Sequence, residues 1–169
     1  MALIRKMQKK DIDAILLNFA EQGWPKPRET IENYFARQAG SELFVFVAEH
    51  QGDVAGYAVL YPSAKTGPFA NKNIPEISDF NVFAKYRQIG IGSSILDSAE
   101  KKAAELCNQV TLGVGLHYGY GAAQRIYAKR GYIPDGTGVW YKNSHLEQYA
   151  DCKNDDDLVL YLAKVFDKQ

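Results

Sequence analysis

The chain has 169 residues, of which 46% are hydrophobic and 24% charged, and this size and composition fit one globular domain spanning residues 1–169. Lys plus Arg and Asp plus Glu both number 20, so the net charge of zero predicts no general attraction to nucleic acid or to an anionic membrane. The N-terminal segment Met1–Lys6 lacks the features of a signal peptide, and no apolar run approaches the ~20 residues of a membrane span. We therefore expect a cytoplasmic protein without a membrane segment.

The first half of the chain alternates between strand-like and helix-like patterns. Asp11 is a predicted helix start because apolar residues at helical spacing follow it, and the segment Gly23–Pro27, which includes Lys26, interrupts that pattern. Two runs rich in β-branched and aromatic residues flank a Gln51–Asp53 turn, which predicts a hairpin. The predicted elements are a strand at 3–7, a helix over roughly 10–20, a helix from about 28 to 38, and strands at 43–49, 54–61 and 74–83.

The second half begins with a strongly amphipathic helix after Gly92. One face of this helix carries Ile95, Leu96, Ala99, Ala103 and Leu106, and the other carries Glu100, Lys101, Lys102 and Glu105. The remaining predicted elements are a strand at 110–116, a helix at 122–129, β structure from 132 to 141 and a last strand at 157–162, for which a terminal helix is the alternative. This order predicts a mixed α/β sheet with helices on both faces.

A turn with two glycines, Gly90 and Gly92, lies between a predicted strand and the amphipathic helix. The first turn of a helix offers unpaired backbone N–H groups, and glycines let a phosphate approach the backbone closely. Arg87 adds positive charge, so the segment predicts a site for a pyrophosphate. Neither the P-loop nor the dinucleotide fingerprint has this glycine spacing.

Two separated motifs identify the ligand class by resemblance. The segment Arg87–Gly92 (RQIGIG) matches the Arg/Gln-x-x-Gly-x-Gly/Ala pattern of the GNAT acetyltransferases. Upstream, Asp79–Tyr86 resembles the family strand that leads into this turn, although Ala84 stands where proline is usual. Downstream, Ala123–Tyr132 resembles the family pattern Ala-x-x-Leu-Tyr-x-Lys-x-Gly-Phe. The order of predicted elements along nearly the whole chain agrees as well.

The resemblance implies a GNAT-type, mostly antiparallel sheet of about seven strands and an acetyl-CoA-dependent N-acetyltransferase. In such proteins the pyrophosphate lies on the turn at Arg87–Ser93, and the pantetheine arm lies along the strand before it. The backbone N–H of Val82 would polarise the thioester carbonyl. The implied acetyl-CoA-binding residues are Val82, Phe83, Ala84, Arg87, Gln88, Ile89, Gly90, Ile91, Gly92 and Ser93.

Two side chains are candidates for moving protons. Glu76 lies eleven residues before Arg87, where similar acetyltransferases often carry a base, and it is preferred over the neighbouring Asp79. A water relay and a purely structural acid remain alternatives. Tyr127 stands where the family often places a general acid, and its phenol is protonated at neutral pH. The alternative for Tyr127 is a packed core aromatic.

One position departs from the family pattern. Tyr120 stands where an asparagine often precedes the tyrosine by seven residues, which puts any hydrogen bond from that asparagine to the cofactor in doubt. The histidines do not show the spacing of metal ligands, so no metal is expected.

The preferred function is direct acetyl transfer from acetyl-CoA to a primary amine of a small molecule. Asp135 could meet the acceptor amine, but a turn aspartate explains it equally well. Three alternatives remain open, namely acetylation of a protein N-terminus or lysine, an acetyl-CoA-binding module without turnover, and a nucleotide-binding protein. The resemblance also allows a homodimer.

Overall fold

The computed structural model describes residues 2–167, which form eight strands and four α-helices. In chain order these are β1 (Leu3–Lys6), α1 (Asp11–Glu21), α2 (Arg28–Ala39), β2 (Phe44–His50), β3 (Asp53–Tyr61), β4 (Glu76–Val82), α3 (Ile91–Leu106), β5 (Gln109–Gly115), α4 (Gly121–Lys129), β6 (Ile133–Tyr141), β7 (Ser144–His145) and β8 (Leu158–Val165). The expected mixed and mostly antiparallel α/β class is confirmed. Residues 1, 168 and 169, which the expected domain 1–169 includes, lie outside the described residues.

The chain forms two compact units. The first contains residues 2–61 together with Ile77–Lys102, and the second contains Pro62–Glu76 together with residues 103–167. Neighbouring strands follow the order β1-β2-β3-β4 in the first unit and β5-β8-β6-β7 in the second. The single-domain organisation stays a prediction.

In the first unit, a tight hairpin joins β2 to β3. His50 pairs with Asp53, and the two residues between them, Gln51 and Gly52, both have positive φ. Two positive φ values in a two-residue loop match the right-handed twist of antiparallel strands, which explains why this turn forms the predicted hairpin.

Helices α1 and α2 supply the apolar cover of the first unit. Helix α1 begins at Asp11 as predicted, and Oδ2 of that residue accepts hydrogen bonds from the backbone N–H of Gln8 and from Arg5. Of the periodic apolar side chains of α1, Ile12, Ile15 and Phe19 are buried and Leu16 is half-buried, which bears out the helical pattern. The core of this unit consists of Met7, Ile12, Ile15, Phe19, Ile31, Leu43, Val45, Val47, Val54, Tyr57, Val59 and Phe83.

Helix α3 shows where the amphipathic pattern holds and where it fails. Ile95 and Ala99, on the predicted apolar face, are fully buried, whereas Leu106 at the last position of the helix is 44% exposed. Glu100, expected to face solvent, is buried. Within residues 2–167, no helix combines the length and the apolar character that crossing a membrane requires.

The second unit contains the strand that the sequence pattern missed. Strand β7 has two residues and pairs with the end of β6 through a turn at Lys142 and Asn143, both of which have positive φ. A strand of two residues is too short to show the alternation of apolar and polar residues by which strands are predicted. The described residues therefore form eight strands, where the resemblance implies about seven.

The pairing between strands β6 and β8 is interrupted in the middle of β6. Pro134 pairs with Leu162 and Val139 with Leu160, so four residues of β6 (DGTG) lie opposite Tyr161 alone. Both glycines of this excursion have positive φ. Tyr161 is buried in the core of the second unit with Ala64, Phe69 and Ile74.

Replacing Gly67 by Ala is expected to lower the free energy of unfolding by about 2–3 kcal/mol, measurable by urea denaturation. Gly67 has φ +74°, and a Cβ there would lie 2.4 Å from the ring of buried Tyr161. Gly131→Ala is the matched control, because Gly131 has φ +86° and open space around it. The control should cost about 1 kcal/mol. Equal losses for both variants would mean that the tyrosine ring yields without cost.

Candidate active site

The turn that contains Gly90 and Gly92 leads into the start of helix α3, as predicted. After a short 3-10 turn at Ala84–Tyr86, the chain reaches Gln88 and Gly90 with φ values of +63° and +87°, and α3 begins at Ile91. A Cβ on Gly90 would meet no atom within 4 Å, so glycine serves the backbone conformation and leaves open space above the turn. The backbone N–H and Oγ of Ser94 bond to the Gly90 carbonyl. The first N–H groups of α3 are therefore oriented as donors for an anion.

The end of β4 presents hydrogen-bonding groups on the edge away from β3. The N–H of Phe83 donates to the carbonyl of Ala55 in β3 at 3.0 Å, so the neighbouring residues Val82 and Ala84 turn their groups to the opposite edge. The Val82 carbonyl accepts a hydrogen bond from Nε of Arg87 at 3.1 Å. The Ala84 N–H donates to a side chain, Oε1 of Gln22, at 2.6 Å.

Asp79, the alternative base, lies in a closed cluster of polar side chains. Nζ of Lys26 contacts both of its carboxylate oxygens. The hydroxyl of Tyr57 donates to Oδ2 at 2.8 Å, and Nδ2 of Asn81 donates to Oδ1 at 2.9 Å. Asp79 also has φ +46°, an uncommon conformation within a strand. Because its lone pairs are already engaged, this arrangement favours Glu76 over Asp79 as a base.

Glu76 is in the opposite situation. It is the first residue of β4 and pairs in parallel with Thr111 of β5. Its side chain is half-buried, and within residues 2–167 its carboxylate has no hydrogen-bond or ion-pair partner. Burial alone raises its pKa to about 7. An unpartnered carboxyl group that titrates near neutral pH is suited to proton transfer.

Tyr127 lies inside helix α4 and is 5% exposed. Its ring packs against Tyr132 with centroids 5.6 Å apart. Burial raises the pKa of its phenol above the usual value, and the nearby phenol of Tyr120 raises it further. Tyr127 is therefore a neutral O–H donor at physiological pH, as a general acid must be.

Tyr120, at the family's asparagine position, has a packing role. Its ring fills the space beside Gly115, where a Cβ would lie only 2.3 Å away. Its hydroxyl donates to Oδ1 of Asp156 at 3.0 Å, and Nε2 of His117 lies 2.9 Å from the same oxygen. These contacts fix the segment that opens α4, the helix carrying Tyr127.

Asp135 is held within its own turn. Its Oδ1 accepts hydrogen bonds from the backbone N–H and the hydroxyl of Thr137. This geometry supports the interpretation of Asp135 as a turn aspartate. In the described part of the chain, no three His, Cys, Asp or Glu side chains cluster as metal ligands would.

Most of the chain matches a known protein family. Residues 9–132, well over half of its length, match the model described as the acetyltransferase (GNAT) family. The chain belongs to the GNAT acetyltransferase family. It is therefore an N-acetyltransferase, an acyltransferase of a family that uses acetyl-CoA.

Solved structures confirm the GNAT fold. Ribosomal-protein-alanine N-acetyltransferase from Brucella melitensis superposes with a TM-score of 0.71 at 20% identity, covering 97% of this chain and 99% of that one. The ribosomal-protein-S18-alanine N-acetyltransferase of Escherichia coli gives 0.70 at 15% identity, covering 100% and 96%. The protein yncA of Salmonella typhimurium, assigned as an acetyltransferase and solved with its cofactor acetyl-CoA, gives 0.69 at 18% identity, covering 99% and 95%. The search of curated proteins found no significant match.

Sequence reasoning missed two features of this GNAT domain. Lys26 was interpreted only as part of a helix break, and its contact with Asp79 joins residues far apart in the chain. No sequence pattern indicates a role for Gln22, because a single polar residue at the end of a helix is common. The proline on each side of Lys26 was the one local signal of a fixed backbone at that position.

Proposed function

We propose that this GNAT acetyltransferase moves an acetyl group from acetyl-CoA directly to a primary amine of a small molecule. The observation that carries the proposal is Glu76, whose half-buried carboxyl group has no hydrogen-bond or ion-pair partner within residues 2–167 and has a pKa of about 7. An amine substrate arrives mainly as an ammonium ion and must lose a proton before it can attack. A base with a pKa close to the working pH is well matched to this step.

Each proposed role corresponds to one proton or one developing charge. Glu76 takes the proton from the ammonium group, and the free amine forms a C–N bond to the acetyl carbon while the C–S bond to CoA breaks. The N–H of Val82 donates a hydrogen bond to the acyl oxygen as negative charge develops there. The hydroxyl of Tyr127 gives its proton to the departing thiolate, so the products are an amide and CoA thiol.

The turn at Arg87–Ser93 fits the pyrophosphate of acetyl-CoA. It combines open space at Gly90, the N–H groups of the first turn of α3 and the nearby guanidinium of Arg87. Positive helix-end dipoles and N–H donors stabilise phosphate charge without further groups. Gly92, in the first turn, keeps a side chain away from the phosphates.

The folded segment before β4 supports a small acceptor. Ala64, Phe69 and Ile74 are buried against Tyr161, so these side chains are engaged within their own unit and do not offer an apolar surface to a peptide. Two structural neighbours bear the names of ribosomal-protein-alanine N-acetyltransferases, which makes a protein N-terminus the second acceptor class. An acceptor screen should therefore include both small primary amines and short peptides with a free N-terminus.

Calorimetric titration with acetyl-CoA tests the cosubstrate part of the proposal. The wild type should bind with a micromolar Kd, and Gly92→Glu should weaken binding at least tenfold because a carboxylate would lie where the phosphates bind. Ala104→Glu adds the same charge on the exposed side of the same helix and serves as the control.

Three outcomes are decisive for this experiment. Wild-type protein that binds ATP but not acetyl-CoA would overturn the proposed function. Equal weakening by both variants would indicate a general charge effect instead of a pyrophosphate site at the turn. Selective loss in Gly92→Glu, with an unchanged melting temperature, supports the proposed site.

A further inference from the structure

The edge of β4 that faces away from β3 is capped by side chains at its end. Within the described residues, pairing with β5 is limited to Glu76, so the later residues of β4 have β3 as their paired neighbour. An exposed strand edge needs hydrogen-bond partners. At the end of β4 these partners are Arg87, on the Val82 carbonyl, and Gln22, on the Ala84 N–H.

The two capped groups form a matched pair. The carbonyl of one residue and the N–H of the residue two positions later lie on the same edge of a strand. In a parallel ladder a single partner residue engages both, donating its N–H to the first and accepting at its carbonyl from the second. The β-alanine unit of pantetheine carries one N–H and one carbonyl, separated by two methylene groups. It therefore has the chemistry needed to replace both side chains.

Gln22 is well placed to be replaced. It is the residue directly after α1, and its side-chain oxygen lies 2.6 Å from the Ala84 nitrogen. The adjacent Glu21 lies 3.7 Å from Lys85 in an exposed ion pair, so the end of α1 contacts the segment before the turn at two neighbouring positions. A neutral carboxamide accepts the N–H bond without placing negative charge where phosphates must approach.

We propose that Gln22 is an internal substitute for acyl-CoA, which must displace its carboxamide from the Ala84 N–H in order to bind. This inference rests on the proposed function. The side chain satisfies the strand edge in the free protein and reduces the measured affinity, because only the fraction of molecules with Gln22 detached is competent to bind. Arg87 leaves the Val82 carbonyl in the same step and becomes available to the pyrophosphate.

The test is the affinity of Gln22→Ala for acetyl-CoA, measured by calorimetry. Removal of the Gln22 carboxamide should lower the Kd for acetyl-CoA about two- to tenfold, the range that corresponds to the net free energy of one hydrogen bond. Gln8→Ala, the same truncation of an exposed glutamine before α1, should leave Kd unchanged. Amide hydrogen exchange supplies a readout independent of the ligand. The Ala84 N–H should exchange at least threefold faster in free Gln22→Ala than in the free wild type, and acetyl-CoA should protect it in both.

The outcomes separate this inference from the proposed function. If the wild type binds acetyl-CoA and Gln22→Ala binds equally well or more weakly, the displacement idea is overturned and the proposed function stands. Unchanged exchange of the Ala84 amide in the variant would overturn it as well. A wild type that does not bind acetyl-CoA would overturn both.

Discussion

Replacing Glu76 by Gln is expected to lower kcat/KM for acetyl transfer to an amine by about 10²- to 10⁴-fold, the usual contribution of a general base. Glutamine keeps the shape of the side chain but cannot accept the proton of the ammonium group. The affinity for acetyl-CoA should stay within twofold of the wild type, because the turn at Arg87–Ser93 is unchanged. Thiol release at saturating acetyl-CoA measures the rate, and calorimetry measures the affinity.

The pH profile identifies the cause of this loss. The wild-type rate should rise with pH through an apparent pKa near 7, because only the Glu76 carboxylate accepts a proton. Glu76→Gln should lack this rise. Glu42→Gln removes an exposed carboxylate paired with Arg37 and should behave as the wild type. A Glu76→Gln enzyme that keeps both its rate and the pH dependence would show that another group removes the proton.

The same substitution should stabilise the protein at alkaline pH. The pKa of Glu76 is about 7 in the folded protein and 4.5 without the effect of burial, so the folded state holds this proton more tightly. The Glu76 carboxyl group contributes its full stabilisation of the folded state below pH 4.5, and this stabilisation is lost as the pH rises from about 4.5 to about 7. Glu76→Gln should therefore melt above the wild type at pH 8, and the difference should shrink towards pH 5.

Replacing Lys26 by Met is expected to lower the free energy of unfolding by about 3–4 kcal/mol. Methionine keeps the apolar stem but removes the ammonium group that contacts both oxygens of Asp79. Only 14% of the Asp79 side chain is exposed, so its charge would remain poorly solvated. Its neutral donors would be Tyr34, Tyr57 and Asn81. Urea denaturation followed by circular dichroism measures the change.

Two further variants show whether the buried charge is the cause. Arg28→Met breaks an exposed ion pair with Asp13 and should cost less than about 1 kcal/mol. The double variant Lys26→Met/Asp79→Asn removes both charges and keeps a residue type that tolerates positive φ, so it should recover at least half of the loss. A loss in Lys26→Met no larger than that in Arg28→Met would mean that Asp79 is adequately hydrated without its partner.

The features of the fold that follow from short stretches of sequence could be predicted. The Gln51–Asp53 turn, the helix start at Asp11 and the glycine turn before α3 each depend on a few neighbouring residues, and each is present in the structure. Strand β7 was missed because two residues show no periodicity. Glu100 was misplaced because periodicity assigns the faces of a helix but not the neighbours that later cover them.

The residues of the candidate site also fall into two groups, those that a local sequence motif indicates and those that depend on contacts between distant parts of the chain. The motif residues from Arg87 to Ser93 lie on one turn, so their spacing alone indicates a phosphate site. The engagement of Asp79 by Lys26 and of Ala84 by Gln22 depends on contacts between distant parts of the chain, which no local pattern encodes. The sequence favours Glu76 over Asp79 by its position eleven residues before Arg87. The structure adds a second reason, because the Asp79 carboxylate is engaged by Lys26, Tyr57 and Asn81.

The close contact between Gly67 and Tyr161 limits how this protein can diverge. Any residue with a side chain at position 67 would need both a left-handed backbone and a smaller residue at position 161, so a substitution of the glycine alone is disfavoured. Orthologues that keep the tyrosine should therefore keep the glycine, and those with another residue at position 67 should have a smaller residue at position 161. An alignment of relatives would show glycine wherever the tyrosine is present, which would mark the branch of the family that shares this packing of the segment before β4.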